Sequence, residues 1–465
     1  MKFFKFSFLA ILLVAITSCN NGNQKMMELI PDNAGTIISI NPAKVIDHTG
    51  VKVDDNGKVE LPGSLANMIG ESDKKEIDDA VQKLTKSGID LSSNLFVYIL
   101  NENVYGNPPM YVLATTKDAS ATQALVEKEL GETFKNEGDI IVAGKGDYFI
   151  AIKDDIVMMG QNVKDAVADA KAAFEAKENS IANNSDIASV LNEDQDINVY
   201  INYDAALKMA QAASSEVAFI SGFLSGIKGC GYNVDLSDNK VTVKGRSFVD
   251  ENADIIKLLN EVKGDASNSF MEYMPQDANI LFSISIKGEK LADFQSIKPF
   301  LEAQSGSPMF GNANLTELVK SLNGPIAVGV STGTNVRDFK PENLKGCMVI
   351  TTNKPAEWKA FLDAIQKLGG NMPYQITTEA KSDFVLVKFG AQTNFALNCN
   401  NDKAKSVFSN NYIGVCVDAQ NNGQVLHLES GAESIKEGSG VFYILKADGE
   451  EMPFADYPAF FDSLK

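Results

Sequence analysis

Gly329-Val330-Ser331-Thr332-Gly333 has the Gly-x-Ser-x-Gly spacing of a nucleophile elbow and follows the strand-like run Pro325 to Val330. His427 lies downstream, with Asp383 or Asp418 between them as the acid, in the chain order that a serine-hydrolase triad on such an elbow uses. The chemistry asks for more than order. The serine must stand at a sharp strand-to-helix turn, so that helix amides help hold the oxyanion. Thr334 to Pro341 has no helical apolar face and ends in proline, so it reads as a hairpin loop. The corresponding loop of the first half, Asn101 to Pro108, has no such serine.

Two other patterns invite a chemical reading. Asp418, Gln420, Asn422, Gly423 and Glu429 follow the spacing of a calcium loop, but glutamine is a poor third ligand and no helix pair flanks them. Asn421-Asn422-Gly423 between two apolar runs is a stronger signal for a β-hairpin, in which His427 and Glu429 share a strand face as a solvated pair. Ser72 to Lys75, Lys86-Ser87-Gly88 and Ser237-Asp238-Asn239 match the three penicillin-recognising signatures, but in the wrong order along the chain. Ser237-Asp238-Asn239 is better read as a turn. With only His48 and His427 in the sequence and no CxxC pair, a zinc site lacks ligands. The one tryptophan, Trp358, shares a helical face with Phe361, Leu362 and Ile365, which fits core packing better than a sugar platform. The sequence therefore supplies no catalytic residue set, no cofactor site and no metal site.

The formal charge is −19, and −21 once Lys2 and Lys5 leave with an N-terminal signal. Such a field repels phosphate backbones and sets nucleic acid aside as a partner. Beyond Cys19 four cysteines remain: Cys230, Cys347, Cys399 and Cys416. They allow three full pairings or none, and three of them lie in apolar strand-like runs that suit buried thiols.

The elements that must position these residues are short. Thr36 to Asn41, Leu95 to Leu100, Pro109 to Thr116, Asp139 to Ala143, Asp147 to Lys153 and Ile156 to Gly160 read as strands joined by tight turns. Thr116-Lys117-Asp118 can cap a helix over Ala119 to Leu130, which Gly131 stops. The second half repeats the first. Met274-Pro275-Gln276-Asp277-Ala278 echoes Ile30-Pro31-Asp32-Asn33-Ala34. Val349 to Thr352, before a helix from Pro355 to Leu368, echoes Leu113 to Thr116. Asp383 to Val387 echoes Asp147 to Ala151, with the same offset of 236 residues as the preceding match. The expected fold class is α+β: two tandem related units, each a mainly antiparallel sheet with helices packed on one face. The expected division is a signal peptide over 1–18, a polar tether over 19–25, and repeat units over 26–265 and 266–465. Phe454 to Leu464 is expected to close the second unit with a helical run.

Phe6 to Ile16 is too short to span a membrane as a helix and has the length and basic flank of a secretory signal. Its end, Ile16-Thr17-Ser18-Cys19, resembles the lipobox of bacterial lipoproteins, which implies lipid attachment at Cys19. That lipobox, followed by Ile30-Pro31-Asp32-Asn33-Ala34-Gly35-Thr36 and a second Met274-Pro275 start, resembles a family of Bacteroidetes cell-envelope lipoproteins of unknown function with an internal tandem repeat. The resemblance implies an anchored protein, expected at the outer membrane. The tether lacks an acidic run, which leans toward the periplasmic face rather than the cell surface. The role expected is non-catalytic binding or scaffolding with an envelope protein or ligand. A serine hydrolase using Ser331 and His427, and a calcium-stabilised binding module, are the alternatives.

Overall fold

The computed structural model describes residues 21–53, 59–62, 78–79, 82–83, 86–100, 107–175, 178–203, 226–294, 297–310, 312–333, 340–368 and 374–463. Cys19 and the signal segment lie outside the described residues. So do the Ser72 to Lys75 pattern and the loop at 334–339. The chain forms two compact units. The first is Met1–Val249 with Pro453–Asp462, and the second is Asp250–Met452 with Ser463–Lys465.

In the first unit the strands, in chain order, are β1 (Thr36–Ile40), β2 (Lys52–Val53), β3 (Val59–Glu60), β4 (Ile89–Asp90), β5 (Leu95–Ile99), β6 (Met110–Thr116), β7 (Lys135–Glu137), β8 (Ile140–Lys145), β9 (Tyr148–Lys153), β10 (Ile156–Gln161), β11 (Ile197–Asn202), β12 (Ile227–Asp235) and β13 (Val241–Val249). β1 pairs with β5 on one side and β11 on the other. Beyond β5 come β6, β10, β9, β8 and β7; beyond β11 come β12 and β13. Every one of these pairs is antiparallel. Short connections such as Asp154-Asp155 and Gly146-Asp147 permit nothing else.

Helices cover both faces of this sheet, not one. On β9, Phe149 and Ala151 point into a core with Met26, Met27 and Ile30 of the N-terminal segment and Ala170, Ala173 and Phe174 of a helix over Ala166–Phe174. Ile150 and Ile152 point the other way, to Ala119 and Val126 of the helix Ala119–Leu130. The reason lies in the strand composition. Tyr-Phe-Ile-Ala-Ile and Ile-Val-Met-Met are apolar at every position, so each face needs a cover. Across the strands Phe149 lies opposite Gly160, where a Cβ would come 2.3 Å from its ring, so the ring uses the space a side chain would take. The helix Ala119–Leu130 begins and ends as expected, with Asp118 accepting from the Ala121 amide and Gly131 left-handed at φ 68°. Residues 21–25, expected as tether, are the first turns of a helix, α1 (Asn21–Leu29).

The second unit is built from β14 (Ile280–Lys287), β15 (Leu322–Ser331), β16 (Lys345–Thr352), β17 (Gln375–Ala380), β18 (Phe384–Gly390), β19 (Ile413–Asn421), β20 (Gln424–Ala432) and β21 (Glu437–Leu445). β14 pairs with β15 and β19. β16, β18 and β17 follow β15, and β20 and β21 follow β19, all antiparallel. Leu281, Ala327, Cys347 and Leu386 face a core closed by Phe270, Met271 and Met274 and by Ala404 and Phe408 of a helix, α2 (Asp402–Asn410). A longer helix over Pro355–Leu368 packs on β17 and β18.

Each unit thus sets its first long strand between its second and a much later one. Backbone hydrogen bonds agree as well. The Asp32 amide donates to the Asn179 carbonyl (3.0 Å) in one unit, and Gln276 to Ala396 (3.0 Å) in the other. Asn202 donates to Gly35 (2.9 Å), and Asp418 to Asn279 (2.7 Å). Thr116 donates to Asp155 (2.7 Å), and Thr352 to Asp383 (2.9 Å). The last pair corrects the shared offset of 236 residues. Asp383 stands where Asp155 does, and β18 takes the place of β10 beside the preceding strand, not that of β9. The closing segment also differs from expectation. Pro453–Asp462 belongs to the first unit, where the Tyr457 hydroxyl donates to the Asn239 carbonyl at 2.5 Å. No described helix is long and apolar enough to cross a membrane.

Candidate functional site

The polar residues singled out by sequence gather in the second unit, and the hairpin of β19 and β20 is what gathers them. Its ladder runs without a break from Ile413 opposite Ala432 to Asn421 opposite Gln424. That leaves Asn422 (φ 49°) and Gly423 (φ 81°) as a two-residue turn of left-handed residues, the geometry that suits Asn-Gly. The calcium-loop reading is thereby corrected, because a ladder sets Asp418 beside His427 and Gln420 beside Val425 instead of wrapping them round an ion. No group of three or more His, Cys, Asp or Glu side chains able to hold a metal is found among the described residues.

The register also places Asp418, His427 and Tyr443 in one row across β19, β20 and β21. His427 is 1% exposed. Its Nδ1 lies 2.5 Å from Asp418 Oδ1 and its Nε2 3.3 Å from Glu429 Oε2. The ring packs on Tyr443 with centroids 4.8 Å apart. Burial favours the neutral imidazole, but the two carboxylates outweigh it and hold the His427 pKa above its ordinary value. With a carboxylate at each nitrogen, the surroundings favour the imidazolium, which donates from both. The solvated pair expected from the sequence is thus a buried one with a second acid.

Around this row the contacts continue inward. Asn401 caps α2 by accepting from the Ala404 amide (3.1 Å) and donates its own Nδ2 to Asp418 Oδ2 (3.1 Å). Lys403 donates to the Tyr443 hydroxyl and lies over its ring. Asn279 donates to the Asp418 carbonyl (3.1 Å) and accepts from the Thr332 amide (3.0 Å). Ser331, 2% exposed, is hydrogen-bonded to Asp277, which also pairs with Lys345 at 3.0 Å. Burial pushes the Asp277 carboxyl up, but Lys345 and Ser331 together hold it below the usual range.

These commitments contradict the hydrolase triad. A base for Ser331 needs a free ring nitrogen, and both nitrogens of His427 face acids. The Thr332 amide, which an elbow would aim at an oxyanion, is taken by Asn279. Asp383 stands at the turn before β18, with its carbonyl accepting from Thr352. In the first unit His48 likewise meets an acid, Asp196, at 2.8 Å; that carboxylate is fully buried and also accepts from the Leu236 amide (2.8 Å), a tie between α-helix and strand end.

The arrangement encloses a cleft of about 620 Å³. Asp277, Asn279, Asn401 and Gln420 line its polar side, and Val425 and Leu445 its apolar wall. Asn279 and Asn401 are held by their protein partners, so the exposed Gln420 carboxamide, beside the apolar strip, is the group suited to a partly polar ligand. Sequence reasoning missed Asn401, Lys403 and Tyr443, which lie in no motif; an asparagine opening a helix was the one available signal.

All four cysteines beyond Cys19 are buried and free. Burial pushes the Cys347 and Cys416 thiols up to about 12. The thiolate is the reactive form, so neither is expected to react with a thiol reagent at pH 8 in the native protein, while both react after guanidinium is added. Prompt native labelling of either one, located by peptide mapping, would contradict the packing described.

Residues 26–341 match the model of a family described as a domain of unknown function, DUF4836. No curated protein matches the sequence. Among solved structures, crystal forms of TP0453 are similar at 8% sequence identity. Form I covers 48% of this chain and 78% of that one with a TM-score of 0.28; form III covers 52% and 88% with a TM-score of 0.30. Likeness at that level says nothing of this chain's role.

Proposed function

The chain belongs to the DUF4836 family, whose function is unknown; from the lipobox-like end of its N-terminal apolar run and the engaged polar groups of its second unit we propose a lipid-anchored protein of the bacterial cell envelope with a non-catalytic binding role. Cys19 is the lipid attachment residue, and the outer membrane, periplasmic side, is the location. The two units are copies of one design, and the cleft of the second recognises an envelope protein or ligand. One observation carries the non-catalytic reading: the serine, the imidazole and the amide that a hydrolase would need are each bonded to another partner. Groups so engaged hold a shape; they do not wait for a reaction.

A fluorophosphonate probe is expected to leave the purified chain unlabelled. A photo-reactive side chain at Gln420, on the cleft, is expected to give a discrete adduct in cells that the same group at Lys145 does not. Probe labelling that is lost in both Ser331→Ala and His427→Gln would replace this reading with the hydrolase. Identical adducts from both positions would remove the cleft as the recognition surface.

A further inference from the structure

Resting on the reading of Cys19 as lipidated, we infer that one rim of the first unit is held against the phospholipid leaflet, not suspended above it. The observation is where α1 starts and what fixes it. Only Asn20 separates Cys19 from Asn21, the first residue of α1. Two Cα–Cα steps of about 3.8 Å each allow at most about 7.6 Å between the Cys19 and Asn21 Cα atoms. From there the helix is locked to the unit. A Cβ on Gly22 would come 2.7 Å from Thr115 Cγ2, so helix and strand end touch backbone to side chain. Asn23 Oδ1 accepts from the Asn94 amide at 3.1 Å. Lys25 pairs with Asp155 at 2.9 Å, and Met26 and Met27 are fully buried in the core.

Thr115, Asn94 and Asp155 all belong to one end of the sheet: the end of β6, the start of β5 and the β9–β10 turn. That end is the surface nearest the acyl chains. Lys25 offsets Asp155 and Lys117 offsets Asp90, while Asp118 and Asp154 stand exposed at the same end, so the short tether and not charge attraction is what holds this rim to the leaflet. The β8–β9 turn, at Lys145, stands at the other end of β9, about 20 Å away at 3.3 Å per residue.

The test uses the lipidated full chain in phosphatidylethanolamine–phosphatidylglycerol vesicles carrying a nitroxide on the headgroup. The four native thiols are buried, so a fluorophore can be placed through Lys117→Cys or Lys145→Cys. The label at 117 is expected to lose most of its intensity and that at 145 little. Inserting twelve Gly/Ser residues between Asn20 and Asn21 raises the tether's reach to about 20 Å and is expected to restore the signal at 117. Equal quenching at both positions, or quenching at 117 that survives the insertion, overturns the rim while leaving lipidation intact. A chain that takes up no fatty acid at Cys19 overturns the anchor and the rim together.

Discussion

Replacing His427 with leucine is expected to lower the stability of the second unit by about 3 kcal/mol, because it leaves Asp418 and Glu429 facing each other with no cation between them. The two carboxylates keep 28% of their side-chain surface, so the loss falls at the low end of the range for breaking a buried pair. For a unit of this size that is a fall of about 6–12 °C in its thermal transition. The sign of the pH dependence follows from the raised pKa of His427. A group whose folded pKa lies above its unfolded one adds stability that is fully present below the unfolded pKa, about 6.5. That stability is lost as the pH rises through the folded value. The gap between wild type and His427→Leu is therefore expected to be widest near pH 6 and to narrow toward pH 9. Thermal unfolding of both proteins across that range reads it directly. A gap that widens with pH would mean that the imidazole is neutral and the two acids are not its partners.

Cys19→Ala is expected to move nearly all of the protein from the membrane fraction to the soluble one. Each buried methylene contributes about 0.8 kcal/mol, and stable attachment takes two signals or chains, so on the proposed attachment at Cys19 its loss removes the whole anchor. The acidic chain offers no polybasic patch to compensate. The same variant should show no incorporation of a clickable fatty acid. A variant that still sediments with membranes, with wild-type abundance, would locate the attachment elsewhere.

The hairpin was the most legible part of the second unit. Once Asn422-Gly423 is taken as a two-residue turn, Asp418 lies three residues before Asn421 and His427 three after Gln424, so their pairing can be counted off the sequence. What could not be counted was depth. Tyr443 packs on the ring from the neighbouring strand and Lys403 lies over Tyr443, and neither is encoded in the hairpin's own residues. The repeated Pro-x-x-Ala turns were readable because they serve the same backbone bonds in each unit. The offset of 236 residues misled because β9 and β18 have similar apolar strings, and an apolar string says that a strand is buried without saying beside which neighbour. The helix at Asn21–Leu29 was hidden by its own composition. Asn-Gly-Asn-Gln has poor helix propensity, and burial of Met26 and Met27 overrides it.

Tyr457 reaching back to Asn239 has a consequence for the order in which the chain can fold. The second unit lies in one stretch, Asp250–Met452, but for Ser463–Lys465, whereas the first is completed by a piece that emerges only after that stretch. As the polypeptide is made from its N-terminus, the portion that emerges first is the last to be finished. A released chain ending at Met452 should hold a protease-resistant second half while the earlier strands remain open to cleavage or to holding chaperones.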